Sequence, residues 1–418
     1  MKKDNREIKF IEGIRGFSAL QVLFTHYCCA FFPALARVGG APQFSWEKRA
    51  IDSPIVFLFD GGIPVFIFFT MSGFVLGGVF INSELTVTQQ IAKRFIRLYI
   101  PVFFSLIFSA VLIYNFRDIR LSFQAVSISG WARSLYNVSD LFSYSFFGEI
   151  FFNSMIIGYK NGTVLDTMRL STPGLLPLTS GLNPPLWTIH TEFWGSLLVL
   201  GVAQLYRRVS RRTFWSVFAL LLYLTGVGFY SLFLIGLATY IHRDRLLDSR
   251  RGMATTIIGL LLLAAGIYIP SCVSSAPFNW LQDRFRSFVW MQAFAGVQIQ
   301  KELGAVLILA GIILLPGLRR FLSTPFAVWL GKISFGLYLT HFPLLFTVGV
   351  GTFVVAQPHM GYLAAALLAT GVGTAVSLPA AILFHRFVDQ PAIYLSRKAK
   401  LKRSAVVLDS PAKSTATP

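Results

Sequence analysis

The sequence predicts an all-α fold, a polytopic membrane bundle of about ten transmembrane helices with both termini cytoplasmic. Three observations predict it. Only 13% of the 418 residues are charged and 55% are hydrophobic, with a mean hydropathy of +0.64, whereas soluble domains are about 25% charged. Apolar residues gather in ten runs close to the length a helix needs to cross roughly 30 Å of hydrocarbon. When the N-terminus is placed inside and the ten runs alternate in direction, 26 of the 37 Lys and Arg residues fall on the inner side, the asymmetry expected of cytoplasmic loops.

In chain order the runs are Ile14–Leu35, Ile55–Ile81, Tyr99–Phe116, Leu186–Tyr206, Thr213–Thr225, Val227–Ile241, Met253–Ile269, Glu302–Leu318, Val328–Val355 and Tyr362–Phe384. The fifth and sixth form one apolar stretch too long for a single span, and Gly226 and Gly228 divide it. Leu141–Tyr159 is a further apolar segment. If it crossed, Arg207, Arg208, Arg211 and Arg212 would lie outside, so it reads as interfacial or protein-covered within an outer region of residues 117–185. The basic N-terminus precedes a run that lacks a small-residue cleavage site, so an uncleaved first span is expected rather than a signal peptide. Residues 1–395 read as one membrane domain, and the basic, then Ser/Ala/Thr/Pro-rich residues 396–418 as a disordered cytoplasmic tail.

The net charge of +19 is accounted for by inner-loop Lys and Arg, so nucleic acid is not the expected partner. Cys28, Cys29 and Cys272 show neither a disulfide framework nor metal-ligand spacing, and no metal is expected. The expected location is an integral, multi-pass position in a lipid bilayer, the cytoplasmic membrane in a bacterium.

Residues able to carry chemistry interrupt these runs. In EGIRGFSALQVLFTHY, Arg15 and His26 are eleven residues apart, about three helical turns and roughly 16 Å of rise. They share a face, and His26 lies near the midplane when Arg15 is at the inner surface. An ionisable group at that depth needs a protein interior, a partner or water, and a neutral histidine there can take a proton from a hydroxyl. The structural alternatives are a headgroup anchor for Arg15 and a carbonyl-bonded core histidine for His26.

In FFTMSGFVLGG, Ser72 and Gly73 suit a cavity lining or close helix packing, and the preceding Asp60 reads as a loop acid at the membrane surface. Arg94 and Arg97 in KRFIRLYIP share a face and, with Arg15, suit an anion site for phosphates. In NPPLWTIHTEFWGSLL, Glu192 requires a partner, His190 points elsewhere, and Trp187 and Trp194 read as interface-belt aromatics. His341 in GKISFGLYLTHFPLL lies about 14 Å beyond Lys332, a depth similar to that of His26, with Tyr338 placed to orient it. Structural and functional roles for His341 both remain open. His385, Arg386 and Asp389 read as interfacial charges at a helix stop, and His242 and His359 as loop-edge residues without a role.

Taken in order, IRGFSALQVLFTHY, FFTMSGFVLG, RFIRLYIP, LWTIHTEFWGSL, ISFGLYLTHFP and FVDQP resemble the signature segments of the acyltransferase 3 family of integral membrane O-acyltransferases. The resemblance implies a ten-helix domain that passes an acyl group from cytosolic acyl-CoA, commonly acetyl-CoA, to a hydroxyl of a glycan, lipid-linked sugar or small molecule. It implies that Arg15 and His26 are the essential pair, and it carries the family's basic segment onto Arg94 and Arg97, its SGF segment onto Ser72 and Gly73, and its fourth-helix glutamate onto Glu192. His190 stands where the family has a small residue, and Asp389 where it has a closing glutamate. No appended esterase-like domain is visible, so transfer is expected to finish within the membrane domain.

The expected catalytic residues are therefore His26 as general base and Arg15, with His341 or Glu192 orienting His26 or the acceptor. The expected donor contacts are Arg15, Arg94, Arg97, Ser72 and Gly73, with acyl-CoA as substrate rather than resident cofactor. The alternative function is a proton-coupled transporter or flippase, which midplane ionisable residues also suit, but the two similar halves that it predicts are not visible. A receptor or scaffold would leave Arg15, His26 and His341 without a task.

Overall fold

A computed structural model describes residues 9–136, 147–160, 175–226, 228–247, 252–273, 276–280 and 299–398. All regular structure among them is helical. The longer helices are α1 (Lys9–Phe31), α2 (Gly62–Ile81), α3 (Val87–Asn115), α4 (Trp187–Arg208), α5 (Arg211–Thr225), α6 (Phe229–Ile241), α7 (Met253–Cys272), α8 (Ile299–Leu314), α9 (Pro325–Leu344) and α10 (Val350–Phe384). They lie, in order, on the ten apolar runs.

Four stretches are long and apolar enough to cross a membrane: α2, α3, α7 and the helical path Pro325–Lys398. A fifth is added if α8 and the short helix Pro316–Leu322, bent by 98° to each other, count as one span. Length and composition thus support fewer crossings than the ten expected from the sequence. The reason is that α1 and α4 carry ionisable residues within their apolar runs, while α5 and α6 have only 15 and 13 residues, about 22 and 20 Å of helix. Of the segment Leu141–Tyr159, residues 141–146 lie outside the described part. The rest forms a π-helical stretch, Glu149–Ile157, that packs on α3 and α4. The tail beyond Lys398 also lies outside the described residues.

Local chemistry sets the helix ends that matter for the site. Thr86 opens α3 by accepting from the Gln89 backbone N–H, and the Gln89 side chain accepts in return from Thr86 N–H, a reciprocal cap that satisfies two free donors. Arg94 and Arg97 therefore project from the second and third turns of a firmly started helix. From Pro325 onward the chain stays helical through the π turn Leu345–Gly349. A straight helix would put Gly336 and Ala381 roughly 68 Å apart, yet the Ala381 carbonyl lies against Gly336. The path reverses at Gly361, whose φ is +77°.

α1 and α9 lie side by side and parallel. Gly16 faces Gly331 and His26 faces His341, so one register holds over nearly three turns. Glycine makes this possible: a Cβ on Gly331 would sit 2.1 Å from the Glu12 carbonyl oxygen, and one on Gly16 2.7 Å from the Gly331 nitrogen. α2 and α6 use the same device, with Gly73 against the Phe233 carbonyl and Gly236 against that of Thr70. Such small-residue seams bring helices together where lipid provides no hydrophobic drive between them.

Candidate functional site

A cavity of about 290 Å³ opens among α1, α2, α3, α4 and α9. Arg15, Arg94 and Arg97 line it, together with Ser72, Glu192 and Tyr338, and most of its remaining wall is apolar. Five of the residues expected to contact a donor or to act in transfer, Arg15, Ser72, Arg94, Arg97 and Glu192, are thereby brought to one space. Gly73 is not in the wall. It packs on α6, the close-packing role that the sequence left open for it.

The arginines do not stand alone. Arg94 donates to the Glu192 carboxylate, which also accepts from the Ser72 hydroxyl. Arg97 donates to Asp389, and Arg15 lies 3.3 Å from Glu12 one turn before it. The Glu192 and Arg94 side chains are 17% and 14% exposed, and removal of either would leave the other charge buried without its partner. A guanidinium has five N–H donors, so one carboxylate does not exhaust it. Arg94 Nε is buried and has no hydrogen-bond partner among the described residues.

The two histidines expected at similar depth are in contact. His26 Nδ1 lies 2.8 Å from His341 Nε2, and the rings are 5.1 Å apart at 23°. His341 is 1% exposed, whereas His26 is half-buried. Trp131, from the short helix Gly130–Arg133 of the outer region, lies nearly parallel to the His26 ring at 5.9 Å, and Phe342 meets it edge-on at 5.0 Å. His341 Nδ1 is 3.0 Å from the Leu337 carbonyl oxygen and 2.9 Å from that of Tyr338.

Tyr338 was expected to orient His341 with its side chain, but the contact comes from its backbone. The hydroxyl donates to the Pro185 carbonyl at 2.7 Å and meets Thr188 Oγ1 at 2.7 Å. Its ring lines the cavity and lies 5.9 Å from the His341 ring. Tyr338 thus borders both the arginine-lined space and His341. Pro343 explains another polar cluster here, because it has no N–H to give the Leu339 carbonyl four residues back. That carbonyl accepts instead from Ser105 Oγ at 2.8 Å and Asn183 Nδ2 at 2.9 Å.

Several carboxylates differ from their sequence reading. Asp60, expected as a surface loop acid, accepts from Gly62 N at 2.8 Å and pairs with Lys301 at 2.7 Å. It stands two residues before the first residue of α2, near a helix N-terminus where negative charge is favoured. Asp389, expected at an interfacial helix stop, is 2% exposed and takes His385 Nδ1–H at 2.8 Å in addition to Arg97. The four-residue spacing from His385 to Asp389 was the available signal. Glu149 was missed. It is 1% exposed and accepts from Tyr159 Oη at 2.8 Å and from Leu182 N at 2.8 and 2.9 Å. Burial pushes its carboxyl up to about 7, against the pull of those donors. A lone acid in the apolar string EIFFNSMII was the signal. Trp194, read as a belt aromatic, donates its indole N–H to the Ile156 carbonyl at 3.0 Å.

A family model described as an acyltransferase domain matches residues 8–386. The chain is 24% identical to the O-acetyltransferase PaAT-1 of Phomopsis amygdali over 430 residues, an overlap that covers 93% of this chain and 84% of that protein. It is 29% identical over 235 residues to acyltransferase R4 of a Phoma species, and 29% identical over 236 residues to acyltransferase clz18 of Cochliobolus lunatus. Each of the latter two overlaps covers 50% of both chains. No solved structure matches.

Proposed function

The chain belongs to the acyltransferase 3 family, and from that premise we propose that it is a multi-pass integral membrane O-acyltransferase. It takes an acyl group, acetyl as the expected case, from cytosolic acyl-CoA and places it on a hydroxyl of a glycan, lipid-linked sugar or small molecule. The name O-acetyltransferase carried by PaAT-1 supports both the oxygen acceptor and the acetyl group. The reading includes ten crossings and an inner N-terminus, which set Arg15, Arg94 and Arg97 at the cytosolic surface.

The observation that carries the proposal is the cavity that has these arginines in its wall together with Tyr338, whose ring lies beside the His26–His341 pair. Guanidinium groups bind phosphates through paired N–H donors, so they hold the phosphates of CoA while the apolar walls take its arm. The thioester is brought to the level of Tyr338. His26 then removes the proton of the acceptor hydroxyl as its oxygen attacks the thioester carbonyl. The new C–O bond forms, the C–S bond breaks, and the CoA thiolate leaves with the proton that His26 returns. Ser72 and Glu192 hold Arg94 in the wall.

The test uses the purified protein in lipid nanodiscs, labelled acetyl-CoA and an organic extract of the producing cells as acceptor. Labelled ester is expected from the wild type, and its rate of formation is expected to fall by at least about 10²-fold in His26→Ala. Arg15→Ala is expected to raise the KM for acetyl-CoA. Wild-type transfer by a folded His26→Ala protein would remove the proposal.

A further inference from the structure

Two backbone carbonyls decide how the histidine pair is protonated. His341 Nδ1 lies within hydrogen-bond distance of the Leu337 and Tyr338 carbonyl oxygens, at 3.0 and 2.9 Å. A carbonyl only accepts, so Nδ1 carries the hydrogen. In a neutral imidazole the other nitrogen is then an acceptor. That nitrogen, Nε2, is the one 2.8 Å from His26 Nδ1. Two lone pairs at 2.8 Å would repel, so His26 Nδ1 carries its hydrogen and donates it to His341.

Both nitrogens of His341 are thereby engaged, one with the helix backbone and one with His26. The remaining nitrogen of the pair is His26 Nε2, which carries a lone pair in this tautomer. Glu192 faces the cavity instead, where its Oε1 accepts from Ser72 and Arg94, while His341 is the side chain at hydrogen-bond distance from His26 Nδ1. We infer that His341 is a positioning residue that locks His26 in the Nδ1–H tautomer and so presents Nε2 to the acceptor hydroxyl. This rests on the acyl-transfer reading and deepens it by fixing the atom that moves the proton.

The sequence of events balances. The acceptor O–H gives its proton to His26 Nε2 as its oxygen bonds to the acyl carbon. The imidazolium so formed keeps its Nδ1–H on His341 Nε2, a neutral acceptor in the place where other catalytic histidines use a carboxylate. The Nε2 proton then passes to the departing CoA thiolate, and His26 returns to its starting form. His341 never contacts the reacting atoms. Its burial at 1% exposure, between the Phe342 and Tyr338 rings, holds the orientation.

Two variants separate this role from simple filling of space. In His341→Gln the amide oxygen reaches the region of the lost Nε2 and still accepts from His26, whereas His341→Phe keeps the ring volume and offers no acceptor. With labelled acetyl-CoA and the cell extract in nanodiscs, kcat is expected to fall on the order of 10²-fold or more in His341→Phe. It is expected to stay within about tenfold of wild type in His341→Gln, with the KM for acetyl-CoA unchanged in both. Equal rates in the two variants, or a faster His341→Phe, would overturn the inference.

An independent measurement needs no activity. In wild-type protein labelled with ¹⁵N-histidine, only six histidines contribute, and the His26 and His341 resonances are assigned by their loss in single variants. Both are expected to carry hydrogen on Nδ1, and a His26 protonated at Nε2 would overturn the assignment. If His26→Ala abolishes transfer while His341→Phe does not, acyl transfer stands and this inference falls. If His26→Ala transfers normally, the functional reading itself falls.

Discussion

Replacing Glu149 by glutamine should remove a pH dependence of stability that the buried carboxyl imposes. Its carboxyl is held up to about 7 in the folded protein, against roughly 4.3 for an unperturbed glutamate. The folded state thus prefers the protonated form. Below the unfolded value both states are protonated and the contribution is complete. As the pH rises toward 7 the unfolded chain ionises while the folded one resists, so stability falls, and above 7 the loss levels off. A shift of this size corresponds to on the order of 3 kcal/mol between pH 4 and pH 8. Glu149→Gln keeps one acceptor oxygen for Leu182 N–H or Tyr159 and gives up the other, at a cost of about 1 kcal/mol. The variant should therefore be less stable than wild type near pH 4, about level with it near pH 5 and more stable at pH 8. Denaturation of the detergent-solubilised proteins across that range measures the difference and cancels every other titrating group. Parallel curves for the two proteins would refute the reasoning.

Two further substitutions test the packing and the cavity. Gly331→Ala places a methyl group against the Glu12 carbonyl, so α1 and α9 must separate. A destabilisation of about 1–3 kcal/mol, with transfer lost because His26 and His341 part, is expected from denaturation and rate measurements on one preparation, and wild-type stability and rate would contradict the seam. Arg94→Ala and Glu192→Ala should each cost on the order of 3 kcal/mol by stranding the partner charge. The double variant should cost less than their sum while its KM for acetyl-CoA stays as high as that of Arg94→Ala. A double-mutant cycle that simply adds would show that the two groups act independently.

The sequence made the helices and much of the site legible because both are written in local pattern. Apolar runs marked the helices, Gly226 and Gly228 marked the break between α5 and α6, and an arginine and a histidine on one face marked the first helix, whereas the reversal at Gly361 was not marked. That His26 and His341 reach similar depth followed from counting residues. That they touch did not follow, since it depends on Gly16 and Gly331 lying opposite each other, a relation between residues far apart in the chain. The number of crossings is less legible for a related reason: short or polar helices such as α6 and α1 are recognisable as helices, but length and composition alone do not mark them as spans. Asp389 and Glu149 were misread or missed because burial, rather than residue type, separates an interfacial acid from a buried one.

The position of the histidine pair is set more by backbone groups than by side chains. Pro343 frees the Leu339 carbonyl, and Ser105 of α3 and Asn183 from the segment before α4 converge on it. One residue earlier, the Tyr338 hydroxyl reaches the Pro185 carbonyl of that same segment. Glu149 in turn grips Leu182 N–H just ahead of Asn183. The turn of α9 that presents His341 is thus tied to α3, to the Asn-Pro-Pro segment and, through Leu182, to the outer π helix. Side chains at the cavity differ in kind: Arg94, Arg97 and Arg15 are held by carboxylates that a phosphate can replace as partners. Rigid backbone ties surround the pair that must hold one tautomer, and exchangeable ion pairs surround the space that must admit and release a charged donor.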